Sequence, residues 1–177
     1  MSDEDEACRH LTGMAMPAIR LLSTGGRWVD VRGRARRRTV LYCYPRTSPA
    51  GADPGPAWAA IPGARGCTAE TCGFRDQYAD LQRLQVDVYG VSTQDSRYQQ
   101  EMAGRLHVPF EVLSDDRLRL AGALRLPTFQ FEGARLIERL TLVVRDGTIE
   151  KVLHPVAAPD RHAAEIVAWL NGHPVAP

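Results

Sequence analysis

Apolar and polar residues along the chain fall into short runs of two periods. Trp28-Val29-Asp30-Val31 alternates as a short strand does. Thr39-Val40-Leu41-Tyr42-Cys43-Tyr44 is β-branched, aromatic and apolar on both faces, which predicts a central strand ended by Pro45. Val86 to Ser92 reads as a second buried strand and Phe110 to Leu113 as another. From Thr68 onward the period becomes helical, with Phe74, Tyr78 and Leu81 four and three residues apart. A polar surface helix is expected over 95–106 and a short helix over Leu118 to Leu124. Glu138 to Arg145 and Thr148 to Leu153 predict a hairpin about Asp146-Gly147. Ala158 to Leu170 is a closing amphipathic helix, stopped by Asn171-Gly172. Strands interleaved with helices, then a late hairpin and a last helix, predict one α/β domain with a mixed central sheet flanked by helices.

Two stretches stand outside this pattern. Between Pro45 and Gly66 the chain is rich in Pro, Gly and Ala, so an inserted loop is expected at about 46–65. A loop of that length in a small domain tends to be functional, and its Trp58 could cover a site or simply pack. The acidic start, Met1-Ser2-Asp3-Glu4-Asp5-Glu6, predicts a flexible tail over 1–13 ahead of a domain over 14–177.

Composition narrows the class. With 177 residues, 44% hydrophobic and 24% charged, the chain has the make-up of a globular domain. A formal net charge of +1 offers no global attraction to nucleic acid or anionic lipid. No apolar run suits a bilayer, and the acidic start is unlike a secretory signal, so a cytoplasmic protein without membrane or nucleic-acid partners is expected. The arginines at 32, 34, 36, 37 and 38 could touch phosphates, but a solvated turn is the simpler reading.

The four cysteines, Cys8, Cys43, Cys67 and Cys72, are too few for a disulfide scaffold. Cys67 sits where a helix begins, just after Gly66. Unpaired N–H groups and the helix dipole favour an anion there, so a low-pKa thiol is expected. Cys72 lies one and a half turns on, which in an ideal helix separates the two Cα atoms by roughly 8–9 Å. A disulfide needs less than about 7 Å, so the first turns would have to unwind to form one. Spacing alone leaves open two inert helix thiols, a redox pair or, least well supported, a zinc site. Cys43, mid-strand, reads as a small buried hydrophobe, and Cys8 as a tail thiol open to adventitious bridging. The histidines at 10, 107, 154, 162 and 173 show no ligand spacing, so no metal is expected. Leu126-Pro127-Thr128-Phe129 reads as a loop entering a strand.

Gly66-Cys67-Thr68-Ala69-Glu70-Thr71-Cys72-Gly73-Phe74-Arg75-Asp76 resembles the active-site helix of the peroxiredoxin Q/bacterioferritin-comigratory-protein class of peroxiredoxins. The resemblance extends through Val40 to Pro45, Val88 to Asp95, Leu113-Ser114-Asp115, Arg139 to Ile149 and the final helix. It implies a thioredoxin-like fold and an antioxidant activity: thiol-dependent reduction of hydrogen peroxide or organic hydroperoxides, without cofactor. It further implies Cys67 as peroxidatic and Cys72 as resolving thiol, joined in an intramolecular disulfide that a thioredoxin-like reductant opens, in a monomer or homodimer. Arg139 matches the family's active-site arginine, although a charge at a strand end would read the same. One position departs: the family's Thr three residues before the peroxidatic Cys is Ala64 here. Thr47 is the candidate to supply that hydroxyl, or else an ordinary turn residue. Because of Ala64, a redox sensor or interaction protein on the same fold is the alternative, and a thiol-dependent reductase of another substrate a third.

Overall fold

The computed structural model describes residues 6–175. Its centre is a seven-stranded mixed sheet in the order β2-β1-β5-β4-β3-β8-β9. The strands are β1 (Arg20–Ser23), β2 (Trp28–Asp30), β3 (Arg38–Cys43), β4 (Val86–Ser92), β5 (Val112–Ser114), β8 (Leu140–Arg145) and β9 (Thr148–Leu153). β6 (Thr128–Phe131) and β7 (Ala134–Ile137) form a separate two-stranded sheet. The helices are α1 (Gly55–Ala59), α2 (Cys67–Asp76), α3 (Tyr78–Arg83), α4 (Ser96–Arg105), α5 (Arg119–Leu124) and α6 (Pro159–Gly172).

The central strand is the one expected. β3 pairs in parallel with β4 and antiparallel with β8, and every residue in it is buried. Period-two alternation sends Val40 and Tyr42 to one face, against Phe74, Leu81, Ile166 and Leu170 of α2, α3 and α6. Leu41 and Cys43 face the other side, among Leu113, Leu120, Leu124 and Leu142. Cys43 is thus a core residue, as its sequence context suggested. The helical run after Thr68 is broken at Gln77 into α2 and α3, so its single period spans two elements.

Two expectations are corrected. The flexible tail does not reach residue 13: Leu11 is fully buried and Cys8 nearly so, both in the core. Backbone bonds from Gly13 N–H to Ile149 O and from Met16 N–H to Gly147 O, each 2.8 Å, tie this segment along the β8–β9 hairpin. Apolar residues within an acidic leader found a core face the local pattern did not reveal; the acidic residues 1–5 lie outside the described residues. The 46–65 stretch, in turn, carries α1, and Trp58 on it is buried. The Arg32–Arg38 turn spends much of its charge internally, with Arg32 on Asp30 at 2.6 Å, Arg37 on Asp87 at 3.1 Å and Arg38 on Glu150 at 2.7 Å. Among the described residues, no helix is long and apolar enough to cross a membrane.

One glycine positions the helix that carries the cysteines. Gly66 is the residue before α2, with φ +99° in the left-handed region. A Cβ there would stand 2.8 Å from Pro159 Cγ and 2.9 Å from its Cβ, at the start of α6. Gly66→Ala should therefore cost roughly 2–4 kcal/mol in urea unfolding, from backbone strain plus overpacking. A loss under about 1 kcal/mol would show that the α2–α6 contact relaxes freely.

Candidate active site

Cys67 is the first residue of α2, where the turn at Gly66 delivers its side chain beneath the inserted segment. It is 4% exposed, and all four cysteines are free. Arg139, in the two-residue gap between β7 and β8, is buried beside it, with Nη2 donating to Cys67 Sγ at 3.1 Å. The same guanidinium donates to the carbonyls of Gly63 at 3.2 Å, Ala64 at 3.4 Å and Arg65 at 2.9 Å. It also forms an ion pair with Glu70, which is fully buried one turn along α2. A planar five-donor group suits this role, holding the loop, the carboxylate and the sulfur in one plane of contacts.

The electrostatics correct one expectation. Burial pushes the Cys67 thiol up rather than down. Arg139 opposes that shift, as does a backbone hydrogen bond from Arg46, whereas the Glu70 charge adds to it. Glu70 itself is pushed up to about 7, because burial outweighs the attraction of Arg139. Its Oε1 has no hydrogen-bond partner. Two acidic groups therefore compete for one guanidinium, and a neutral Glu70 leaves Arg139 to the thiolate. Glu70 lies within the Gly66 to Asp76 motif, but its burial follows from α2 packing, which a polar letter in a helix start does not announce.

Ala64 and Thr47 are both accounted for by the inserted segment. Ala64 is fully buried in a small apolar cluster with Trp58 and Leu136, flanked by Ile61, Phe129 and Phe131. A hydroxyl in that cluster would lack partners. What residue 64 offers the site is its carbonyl, 3.5 Å from Cys67 Sγ and within reach of Arg139. Thr47 is buried, but its hydroxyl donates to Gln94 Oε1 at 3.3 Å, and its backbone N–H reaches the same oxygen at 2.9 Å. The structure thus gives that hydroxyl to Gln94 and not to the sulfur, because Gln94 and Tyr98 hold the turn after Pro45 in place.

Trp58 resolves how the insertion is held. Its ring meets Phe131 edge-on at 4.9 Å, and the Arg46 guanidinium lies 4.6 Å from the centres of both rings while pairing with Glu132 at 2.9 Å. The insertion is thereby clamped onto the β6–β7 hairpin, which the sequence reading lacked. Cys72 is half-buried on the same unbroken helix as Cys67. On the far side of α2, His162 is buried against Phe74, its Nε2 2.8 Å from Thr141 Oγ1, and burial beside Arg139 pushes it down to about 4.

Known proteins resemble this chain over most of its length. The redoxin family model matches residues 11–167. Chloroplastic peroxiredoxin Q of Arabidopsis thaliana is 26% identical over 159 residues, covering 90% of this chain but 66% of that protein. The chain thus spans a little under two thirds of such plant relatives. A putative peroxiredoxin bcp of Coxiella burnetii is 26% identical over 161 residues, covering 89% of this chain and 97% of that one. Among solved structures, peroxidoxin BcpB of Mycobacterium tuberculosis superposes with a TM-score of 0.73 at 23% identity, covering 92% of this chain and 97% of that chain. Peroxiredoxin Q of Xanthomonas campestris gives 0.72 at 22%, covering 92% and 98%. Identities this low speak for the fold, which is the thioredoxin-like one expected. With the helix-borne Cys67, the buried Arg139 and a family match over most of its length, the chain belongs to the redoxin family and is of the peroxiredoxin Q/bacterioferritin-comigratory-protein kind.

Proposed function

We propose that the protein is a thiol-dependent peroxidase that reduces hydrogen peroxide or organic hydroperoxides through Cys67. The observation that carries this reading is the Arg139 guanidinium set 3.1 Å from the Cys67 sulfur at the start of α2. A solved Xanthomonas campestris bacterioferritin comigratory protein of like fold is described by its alkyl peroxide reduction activity.

In this reading the Cys67 thiolate attacks one peroxide oxygen while Arg139 donates to the pair, stabilising the charge that develops on the leaving oxygen. The O–O bond breaks, the sulfur becomes a sulfenic acid, and water or an alcohol departs. Cys72 then condenses with the sulfenic acid, losing water and forming a Cys67–Cys72 disulfide. A thioredoxin-like dithiol restores both thiols by exchange. Both cysteines belong to one intact helix, so the start of α2 unwinds for the condensation. Unwinding withdraws Cys67 from Arg139, a motion that follows the chemical step and cannot precede it. The cycle consumes a dithiol, which suits a reducing compartment such as the cytoplasm.

Peroxide treatment followed by mass mapping tests the assignment. The expected product is a Cys67–Cys72 linkage, formed in one turnover and lost on adding a thioredoxin system, with sustained peroxide consumption. A sensor would oxidise once and stop. Stable Cys67 sulfinic acid beside a free Cys72 thiol would refute the resolving role.

A further inference from the structure

The inserted segment also walls a cavity. Its last residues stand across from the chain between β9 and α6, and the two enclose about 600 Å³. Ala60, Ile61 and Pro62 line one side and Pro155 and Val156 the other, so the lining is mainly apolar. Arg139 and His154 line it too, with side chains only 2% and 4% exposed, so its polar groups are built into the wall. Among the described lining residues Glu138 is the single acidic one, and His154 Nε2 holds it at 3.3 Å. Arg65 lines the cavity as well; it is exposed and pairs with no acidic side chain among the described residues. Cys67 is not among the lining residues, so whatever enters meets the arginine and not the sulfur. That describes a ligand site rather than the path of the peroxide.

We infer that this cavity binds an amphipathic organic anion, a medium-chain aliphatic carboxylate, and that its occupancy slows the reaction of Cys67. Size and walls suit an aliphatic chain: sites for small organic ligands run to about 300–1,000 Å³ and are mainly apolar, with a few placed polar groups. Charge selects the head group. With Glu138 engaged by His154, the charges that face a ligand are the guanidiniums of Arg65 and Arg139. Arg139 already has Glu70, so Arg65 is the anchor, and an arginine fork takes a carboxylate through two parallel bonds. An alcohol of the same length forgoes that charge, and an amine is repelled by it. The effect on Cys67 runs through Arg139, which touches both the cavity and the sulfur. Arg139 holds the buried thiol down while the Glu70 anion pushes it up. A second anion against the same guanidinium acts in the direction of Glu70 and favours the thiol over the thiolate. By linkage, the thiol form of the protein binds the carboxylate more tightly than the thiolate form.

Two measurements on the reduced protein test this, and neither needs peroxide turnover, so their outcome is separate from that of the proposed peroxidase. In titration calorimetry octanoate should bind at least about tenfold more tightly than 1-octanol, and octylamine should not bind. Arg65→Gln should weaken octanoate at least about tenfold, as loss of one charge-assisted contact does. The second measurement is the rate of Cys67 alkylation by iodoacetamide, followed by mass mapping across pH. Saturating octanoate should slow it about three- to tenfold at neutral pH and move its alkaline rise to higher pH, with the full rate recovered above that rise. Absence of octanoate binding, or binding no tighter than that of 1-octanol, overturns the site. Bound octanoate that leaves the rate and its pH profile unchanged overturns the link to Cys67. Slowing by the same factor at every pH does so too, since it would mark simple obstruction.

Discussion

Replacing Cys67 by serine should reduce steady-state peroxide consumption by more than about a thousandfold, as removal of a covalent nucleophile does elsewhere. The hydroxyl keeps the size and the place of the thiol at the start of α2, so folding should be unaltered. What disappears is the only cysteine sulfur that Arg139 contacts among the described residues. The matching change at Cys72 has a different signature. Cys72→Ser should keep one rapid equivalent of peroxide loss per chain and then stall, because the sulfenic acid forms but lacks its partner. Stopped-flow measurement of the burst separates the two. Full steady-state turnover by the Cys67→Ser protein would refute the site assignment outright.

Arg139→Met should lower kcat/KM by roughly 10²–10³, the range for losing one preorganised donor at a developing charge. The loss has two sources: a donor to the sulfur and the leaving oxygen, and the charge that holds the buried thiol down against its desolvation. Stability should fall as well, since Glu70 is left buried without its cation and three carbonyls of the 63–65 segment lose their donor. Breaking one side of a buried pair costs about 3–5 kcal/mol, less here because Glu70 can take up a proton. Pairing Arg139→Met with Glu70→Met should recover stability but not rate, which distinguishes the catalytic loss from the structural one. Glu70→Gln alone probes the shared cation. Its anion raises the Cys67 thiol, so the neutral amide should move the alkaline rise of the pH–rate profile to lower pH. Movement to higher pH would show that Glu70 supports the thiolate instead.

The Glu70 carboxyl also carries a stability consequence of definite sign. Its folded value, about 7, lies above the usual carboxylate range, so the folded state holds this proton more tightly than the unfolded chain. Stability from this group is fully present below about 4.5 and declines as pH rises toward 7, and Glu70→Gln should flatten that decline.

Much of the fold was legible because it rests on local period. β3, β4, the β8–β9 hairpin, α4 and α6 lie within a residue or two of where alternation and end signals put them. The loop entering a strand at Leu126 to Phe129 is the start of β6, but β7 and the pairing of the two escaped, because both strands are half-exposed and their apolar residues serve a small separate cluster under α1. Cys67, Cys72 and Arg139 were named from a motif, and the first and last meet as expected.

Sequence by itself determined the α/β order, the helix start at Gly66-Cys67 and the family pattern, since each depends on neighbours within one or two turns. Only tertiary structure decided the polarity around the sulfur. Whether burial or Arg139 dominates at Cys67, and whether Thr47 turns to Cys67 or to Gln94, depend on segments far apart in the chain. Desolvation and Coulomb energy follow distance and exposure in space, and residue order specifies those only once the fold has closed.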